Sequence, residues 1–233
     1  MSTLVSYQLK DNIATIAMDD GKMNVMSLSM LAELNGALDQ ALVDGAVVVL
    51  SGREGVFSAG FDLAVLGAGG PDALNMLISG FKLAERLLSF PTPVVIGCSG
   101  HALAMGAFLV LSADYRIGVD GAYKIGANEV AIGLTMPWSA VEICRQRLAP
   151  AHFSRAVNNA EIYTPNDAIA AGFLDRVVPA AALQQEVQGT AVRLGKLNLA
   201  AHAATKLRTR EQALKAIRAG IEADEAAFRA RMG

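Results

Sequence analysis

The sequence predicts an α/β fold, and three observations carry that expectation. Short apolar, β-branched runs such as AVVVLSG (46–52) and VVIG (94–97) read as strands covered on both faces. Between them lie longer segments whose large apolar residues recur at helical spacing. The 233 residues are 53% hydrophobic and only 18% charged, which excludes disorder and demands extensive burial. That length suits one large domain, or one domain with an appendage.

Taken in order, residues 4–10 and 12–18 alternate in polarity around Asp11 and Asn12, as a hairpin does. Leu31, Leu34, Leu38 and Leu42 make a helical stripe that Ser27 can cap and Gly45 can close. After the strand at 46–52, Leu74, Leu77, Phe81 and Leu88 mark a second helix, which Pro91 and Pro93 stop near Phe90. The strand at 94–97 leads to a buried helix, AMGAFLVLSA (104–113), and a strand, DYRIGV (114–119), so the repeating unit reads strand, strand, helix. Beyond Pro137 a helix carries Val141, Cys144 and Leu148 and ends before Pro150. Pro165 opens a short helix that Gly172 can cap, and FLDRVV (173–178) is the last strand. From Ala180 onward the chain is helical and Ala-rich, with Leu214, Ile217, Ile221 and Phe228 on one face. The expected organisation is a core over 1–179 and a C-terminal helical region over 180–233.

Composition also bounds the function. Lys and Arg number 20 against 22 Asp and Glu, a formal charge of −2, so the broad basic field of a nucleic-acid binder is missing. No charged residue falls between Arg86 and Asp114, a gap long enough to span a bilayer. Pro91, Pro93, Ser99, Gly100 and His101 interrupt it, and its ends lack membrane anchors, so no membrane span is expected. MSTLVSYQLKDN shows no secretory signal, and Cys98 and Cys144 stand alone, which together predict a cytoplasmic protein with reduced thiols. GxGxxG and Walker-type phosphate loops are absent, and His101, His152 and His202 form no ligand-like group, so no metal site is expected.

Three segments are candidates for chemistry: GVFSAGFDL (55–63), GHALAMGAFLVLSADYRI (100–117) and YKIGANEVAIGLTMPW (123–138). Singly, each has a plain structural reading. Ser58, Ala59 and Gly60 suit a tight turn, with Asp62 capping a following helix. Gly100 to Gly106 suits a close crossing of strand and helix. Glu129 stands among Ile125, Gly126, Ala127, Val130, Ala131 and Ile132, with no basic residue nearer than Lys124. It is either a carboxylate tuned upward by apolar surroundings, as a proton carrier needs, or part of a half-exposed Asn-Glu turn. Lys22, Met23 and Asn24 form another candidate loop. The bases Lys206, Arg208, Arg210, Lys215 and Arg218 read as a solvated helix face, and Trp138 as packing or pocket wall.

The three segments in this order resemble the crotonase, or enoyl-CoA hydratase/isomerase, superfamily, and the resemblance runs from the hairpin to about Pro179. It implies a superhelical spiral of strand-strand-helix units whose C-terminal helices form a homotrimer or a dimer of trimers. GVFSAGFDL is similar to the first oxyanion-hole segment, which makes the Phe61 N–H a donor to the thioester oxygen. It also places coenzyme A contacts on Ser58, Ala59, Gly60, Asp62 and Leu63. GHALAMG is similar to the second segment, with Met105 supplying the other N–H beside Gly106. The family commonly has glycine where Met105 stands. Two backbone donors at a developing enolate oxygen are each worth roughly 3 to 4 kcal/mol in the transition state.

Hydratases of the superfamily hold water between two glutamates. At the first of those positions this chain has Phe108, and at the second Glu129. GVFSAGFDL, GHALA, DYRI and IGANE look like the mitochondrial-type delta-3, delta-2-enoyl-CoA isomerases, whose lone catalytic glutamate sits in an Asn-Glu pair, here Asn128 and Glu129. The resemblance therefore implies an isomerase of fatty acid β-oxidation acting on an acyl-CoA thioester, with coenzyme A as part of the substrate and no separate cofactor. A hydratase of the same superfamily, and a non-catalytic acyl-CoA-binding or assembly protein, are the alternative readings. The chain is also short at its C-terminal end for the family.

Overall fold

The computed structural model describes residues 3–232. Asp11 and Asn12 adopt positive φ (51° and 58°) and turn β1 (Val5–Lys10) back antiparallel onto β2 (Ile13–Met18). Helix α1 (Leu28–Val43) starts where Ser27 accepts the Met30 N–H through its side chain, and it buries Leu31, Leu34 and Leu38. Leu42 departs from the expected stripe and is exposed, because the helix ends just after it.

Strands β3 (Val47–Ser51), β5 (Val94–Cys98), β7 (Tyr115–Val119) and β9 (Arg176–Val178) extend the sheet in parallel, giving the order β1-β2-β3-β5-β7-β9. Alternation along these strands sorts the side chains between two cores. Ala14, Ile16, Val48, Leu50, Val94 and Ile96 face the main core. Ile13, Val47, Val49, Val95, Ile117 and Val178 face the other side. Helix α8 (Leu183–Gly195) covers that second face with Val187 and Ala191.

Strands β4 (Gly55–Ser58), β6 (Gly100–Leu103) and β8 (Ile125–Gly126) were hidden among glycines and small residues in the sequence. They form a second sheet, β4-β6-β8, all parallel. The remaining helices pack around the two sheets. They are α2 (Leu63–Ala68), α3 (Gly70–Ser89), α4 (Met105–Leu111), α5 (Trp138–Arg145), α6 (Pro150–Val157), α7 (Pro165–Ala171), α9 (Leu199–Thr209) and α10 (Glu211–Met232). Most match the expected periodicities, whereas α2 and α6 lie where no apolar stripe announced them. Helix α10 packs against α3 and α5 through Leu214, Ile217 and Ile221, the residues expected on its inner face.

The expected solvated face of bases is corrected at two positions. Lys206 is only 5% exposed; its Nζ lies 2.6 Å from an Asp114 carboxylate oxygen and donates to the Phe90 and Thr92 carbonyls at 2.8 and 3.1 Å. Arg210 reaches the same carboxylate at 3.0 Å and the Leu88 carbonyl at 2.8 Å. Asp114, far away in sequence, makes these two bases internal, while Lys215 and Arg218 pair at the surface with Glu211 and Glu85. Among the described residues no helix is long and apolar enough to cross a membrane.

The pairing of β4 with β6 depends on two facing glycines, Gly55 and Gly100. A Cβ on Gly100 would lie 2.0 Å from the Gly55 carbonyl carbon and oxygen. Gly100→Ala is expected to destabilise the fold by about 1–3 kcal/mol, as overpacking against backbone does. A lowered urea midpoint at unchanged m would show it.

Candidate active site

The small sheet gathers the three segments. Its register aligns Ser58 with Ala102 and Ala102 with Ile125, and the strands run the same way. Each strand therefore delivers its motif at the same end of the sheet: Gly60 and Phe61 after β4, Met105 after β6, and Asn128 and Glu129 after β8.

The first two motifs interlock through close backbone approach. Gly60 has φ +97°, and a Cβ there would lie 2.7 Å from Ala104 Cβ and 3.3 Å from Met105 N. Gly106 faces Ser58 so closely that a Cβ would meet the Ser58 carbonyl oxygen at 2.4 Å. Met105 is the first residue of α4, and neither its N–H nor that of Phe61 donates an intrachain hydrogen bond among the described residues. The conformational demand that glycine usually meets falls one residue before Met105: Ala104 adopts φ 51°, ψ −125°, outside the ordinary regions for a residue with a Cβ. Met105 itself is helical and fully buried, so its side chain does not displace the turn.

The remaining residues of the first motif have divided roles. Ser58 is buried; its hydroxyl donates to the Asn24 carbonyl at 2.7 Å and accepts the Gly60 N–H at 3.1 Å. The Ala59 N–H donates to the Met23 carbonyl, and the Gly60 carbonyl accepts from Met26 N. Asp62 caps α2 by accepting from Ala64 N and Val65 N, as expected, and Leu63 is exposed on that helix.

The 22–24 loop also divides. Lys22 and Met23 are exposed, whereas Asn24 is buried and donates through Nδ2 to the carbonyls of Met18 and Phe57. Its neighbour Asp20 accepts the Lys22, Asn24 and Val25 N–H groups, and these bonds together with Arg53 outweigh its partial burial and hold its carboxyl below the usual range. The loop was a candidate from its sequence, but the scaffold that Asp20 and Asn24, on either side of Gly21, Lys22 and Met23, build under the turn was not.

Glu129 is 7% exposed, so its turn is not half-exposed. It begins a 3₁₀ turn over Val130–Ile132, and its carbonyl accepts from Ile132 N and Leu134 N. Burial pushes the carboxyl up from 4.5 to about 7, against a smaller opposing effect of its own backbone N–H. Its Oε2 and the neighbouring Asn128 Oδ1 are buried without hydrogen-bond partners among the described residues. Phe108 is fully buried in α4, with its ring 6.1 Å from that of Phe81, which in turn meets Phe61 edge-on at 5.8 Å. Trp138 is 64% exposed at the start of α5.

The large sheet carrying a small parallel sheet, with two unpaired backbone N–H groups and a buried carboxylate near one end of the small sheet, is the arrangement to set beside known folds. Residues 8–232 match the family model described as enoyl-CoA hydratase/isomerase, and the chain belongs to that family. Enoyl-CoA delta isomerase 1, mitochondrial, from Homo sapiens is 29% identical over 194 residues, which cover 81% of this chain and 63% of the human one. The chain thus spans somewhat under two thirds of that relative's length. A crystal structure of an enoyl-CoA hydratase from Mycobacterium marinum superimposes with a TM-score of 0.93 at 46% identity, covering 97% of this chain and 99% of that one. One protein of Mycobacterium tuberculosis, described in one structure as an enoyl-CoA isomerase (TM-score 0.93, 97% and 99% covered) and in another as a probable enoyl-CoA hydratase (TM-score 0.94, 97% and 96% covered), is 47% identical to this chain. Relatives of both names thus stand at nearly equal similarity.

The raised pKa of Glu129 ties stability to pH. A folded value above the unfolded one adds stability that is complete below about pH 4.5 and is lost as pH rises through about 7. Glu129→Gln is therefore expected to be more stable than the parent above pH 7, by about 3 kcal/mol at most. The gap should close towards pH 4.5 in urea titrations run at several pH values.

Proposed function

We propose that the protein is an enoyl-CoA isomerase that moves a double bond from position 3 to position 2 of an acyl-CoA thioester. One observation supports this over hydration: Glu129 is buried with one oxygen unpartnered, whereas Asp62, the other acid at this sheet end, is occupied in capping α2, and Phe108 fills the remaining position with an aromatic ring. Ionised Glu129 removes a proton from carbon 2. The electron pair moves towards the thioester, and the negative charge that develops on its oxygen is met by the N–H groups of Phe61 and Met105. The dienolate then takes the same proton back at carbon 4, the carbon 2–carbon 3 double bond forms, and Glu129 returns to its starting state.

A lone base with a pKa near 7 suits both halves of this transfer, since it accepts and releases the proton at similar cost. In this reading Ser58, Ala59, Gly60, Asp62 and Leu63 shape the coenzyme A side of the groove, with Gly106 and Asn128 lining the reacting end. The reaction needs no further cofactor, and its place is in fatty acid metabolism. The assembly that goes with it is a homotrimer or a dimer of trimers, for which exposed Val192 on α8, Leu207 on α9 and Leu197 between them supply apolar surface.

The test offers a 3-enoyl-CoA and, separately, crotonyl-CoA to the purified chain and to Glu129→Gln, following the absorbance of the conjugated thioester. The expected result is conjugation of the 3-enoyl substrate, with kcat lowered about 10²- to 10⁴-fold in the variant and KM little changed. The acidic limb of the kcat profile should have its midpoint near pH 7. Loss of the crotonyl-CoA signal by water addition would favour the hydratase reading, and tight binding without turnover of either would favour the non-catalytic one.

A further inference from the structure

Helix α5 begins without a cap from its own neighbourhood, since Pro137 at that position makes no side-chain bond. Its first amides are taken instead by Asp224, which lies in α10 and is 8% exposed. One carboxylate oxygen accepts from Trp138 N at 2.8 Å; the other accepts from Ser139 N at 3.0 Å and from the Ser139 hydroxyl at 2.6 Å. A carboxylate bonded to unpaired helix amides is among the stronger hydrogen-bonding arrangements, and the helix dipole adds to it. Gly220, one turn earlier in α10, closes the same crossing: a Cβ there would lie 2.7 Å from Ser139 N and 2.9 Å from Ser139 Cα.

What this clamp holds is the path of Glu129. On one side the segment is anchored by β8, which ends at Gly126; on the other, residues 134–137 carry no regular structure until α5 begins. Along that path the Glu129 carbonyl accepts from Leu134 N at 2.9 Å, three residues before the cap position Pro137.

We propose that Asp224 is a positioning residue for the active site. Through Trp138 and Ser139 it fixes the end of the 129–137 segment, and so keeps the Glu129 carboxylate in register with the small sheet. Asp224 touches no reacting atom. The proposal rests on the reading of Glu129 as the proton carrier.

The experiment compares Asp224→Asn with Ile217→Val, a loss of one methylene from the buried face of the same helix that leaves the clamp intact. Amide hydrogen exchange on the full chain is read beside kcat and KM for a 3-enoyl-CoA. Asp224→Asn is expected to speed exchange over residues 129–136 by about tenfold or more and to lower kcat by a similar factor, with KM within about twofold. Ile217→Val should do neither, and Asp224→Glu should recover part of both. Unchanged exchange over 129–136 in Asp224→Asn, or an equal fall in kcat in both variants, would overturn the proposal. If the parent chain turns over no 3-enoyl-CoA, the reading of Glu129 fails instead, and the exchange data alone decide whether Asp224 holds the segment.

Discussion

Three short parallel strands that end together are the constraint on which the rest of this molecule depends. Because β4, β6 and β8 run the same way in one small sheet, the residues that follow them must emerge side by side, although they come from positions 60, 105 and 129. The large sheet, α8 behind it and the helices around both serve to hold that small sheet in place. The tolerance is tight where backbone meets backbone. Gly60 lies against Ala104 and Met105, Gly106 against Ser58, and Gly100 against Gly55, each at a distance that leaves no room for a side chain.

The same arrangement sets the electrostatics. The Phe61 and Met105 N–H groups are left without intrachain partners, a cost comparable to lost hydrogen bonds unless a ligand supplies the acceptor. A carboxylate is different: enclosing Glu129 among apolar neighbours works against its ionised form, and the fold must hold it there by other means. The contacts that do so are remote. They pass through the 3₁₀ turn at 130–132 and α5, which α10 clamps at its start.

Most of the large sheet was legible in the sequence, because strands covered on both faces leave unmistakable β-branched runs at 46–52 and 94–97, and because Asp11 and Asn12 announce the hairpin. The small sheet was not, since its strands are built from glycine, alanine and serine whose role is close approach and not apolar burial. Candidate site residues were proposed from the order of their motifs. Their physical state was not: whether Glu129 is enclosed, and that Ala104 and not Met105 takes the unusual backbone angle, depends on contacts between segments distant in the chain. The same limit explains Lys206 and Arg210, whose helical spacing suggested solvent exposure until Asp114 was placed beside them.

The aromatic row formed by Phe61, Phe81 and Phe108 bears on how members of such a family drift from one chemistry to another. A second acid at position 108 would not enter an empty space. It would replace a ring packed on Phe81, which itself packs edge-on against Phe61, and it would set an ion among hydrocarbon at a cost of several kcal/mol. Any path from one carboxylate to two must therefore pass through joint changes in α3 and α4 that open a wet channel to that position. The residue at position 108 is thus guarded by core packing, and a lineage can exchange it for an acid only by first loosening its interior.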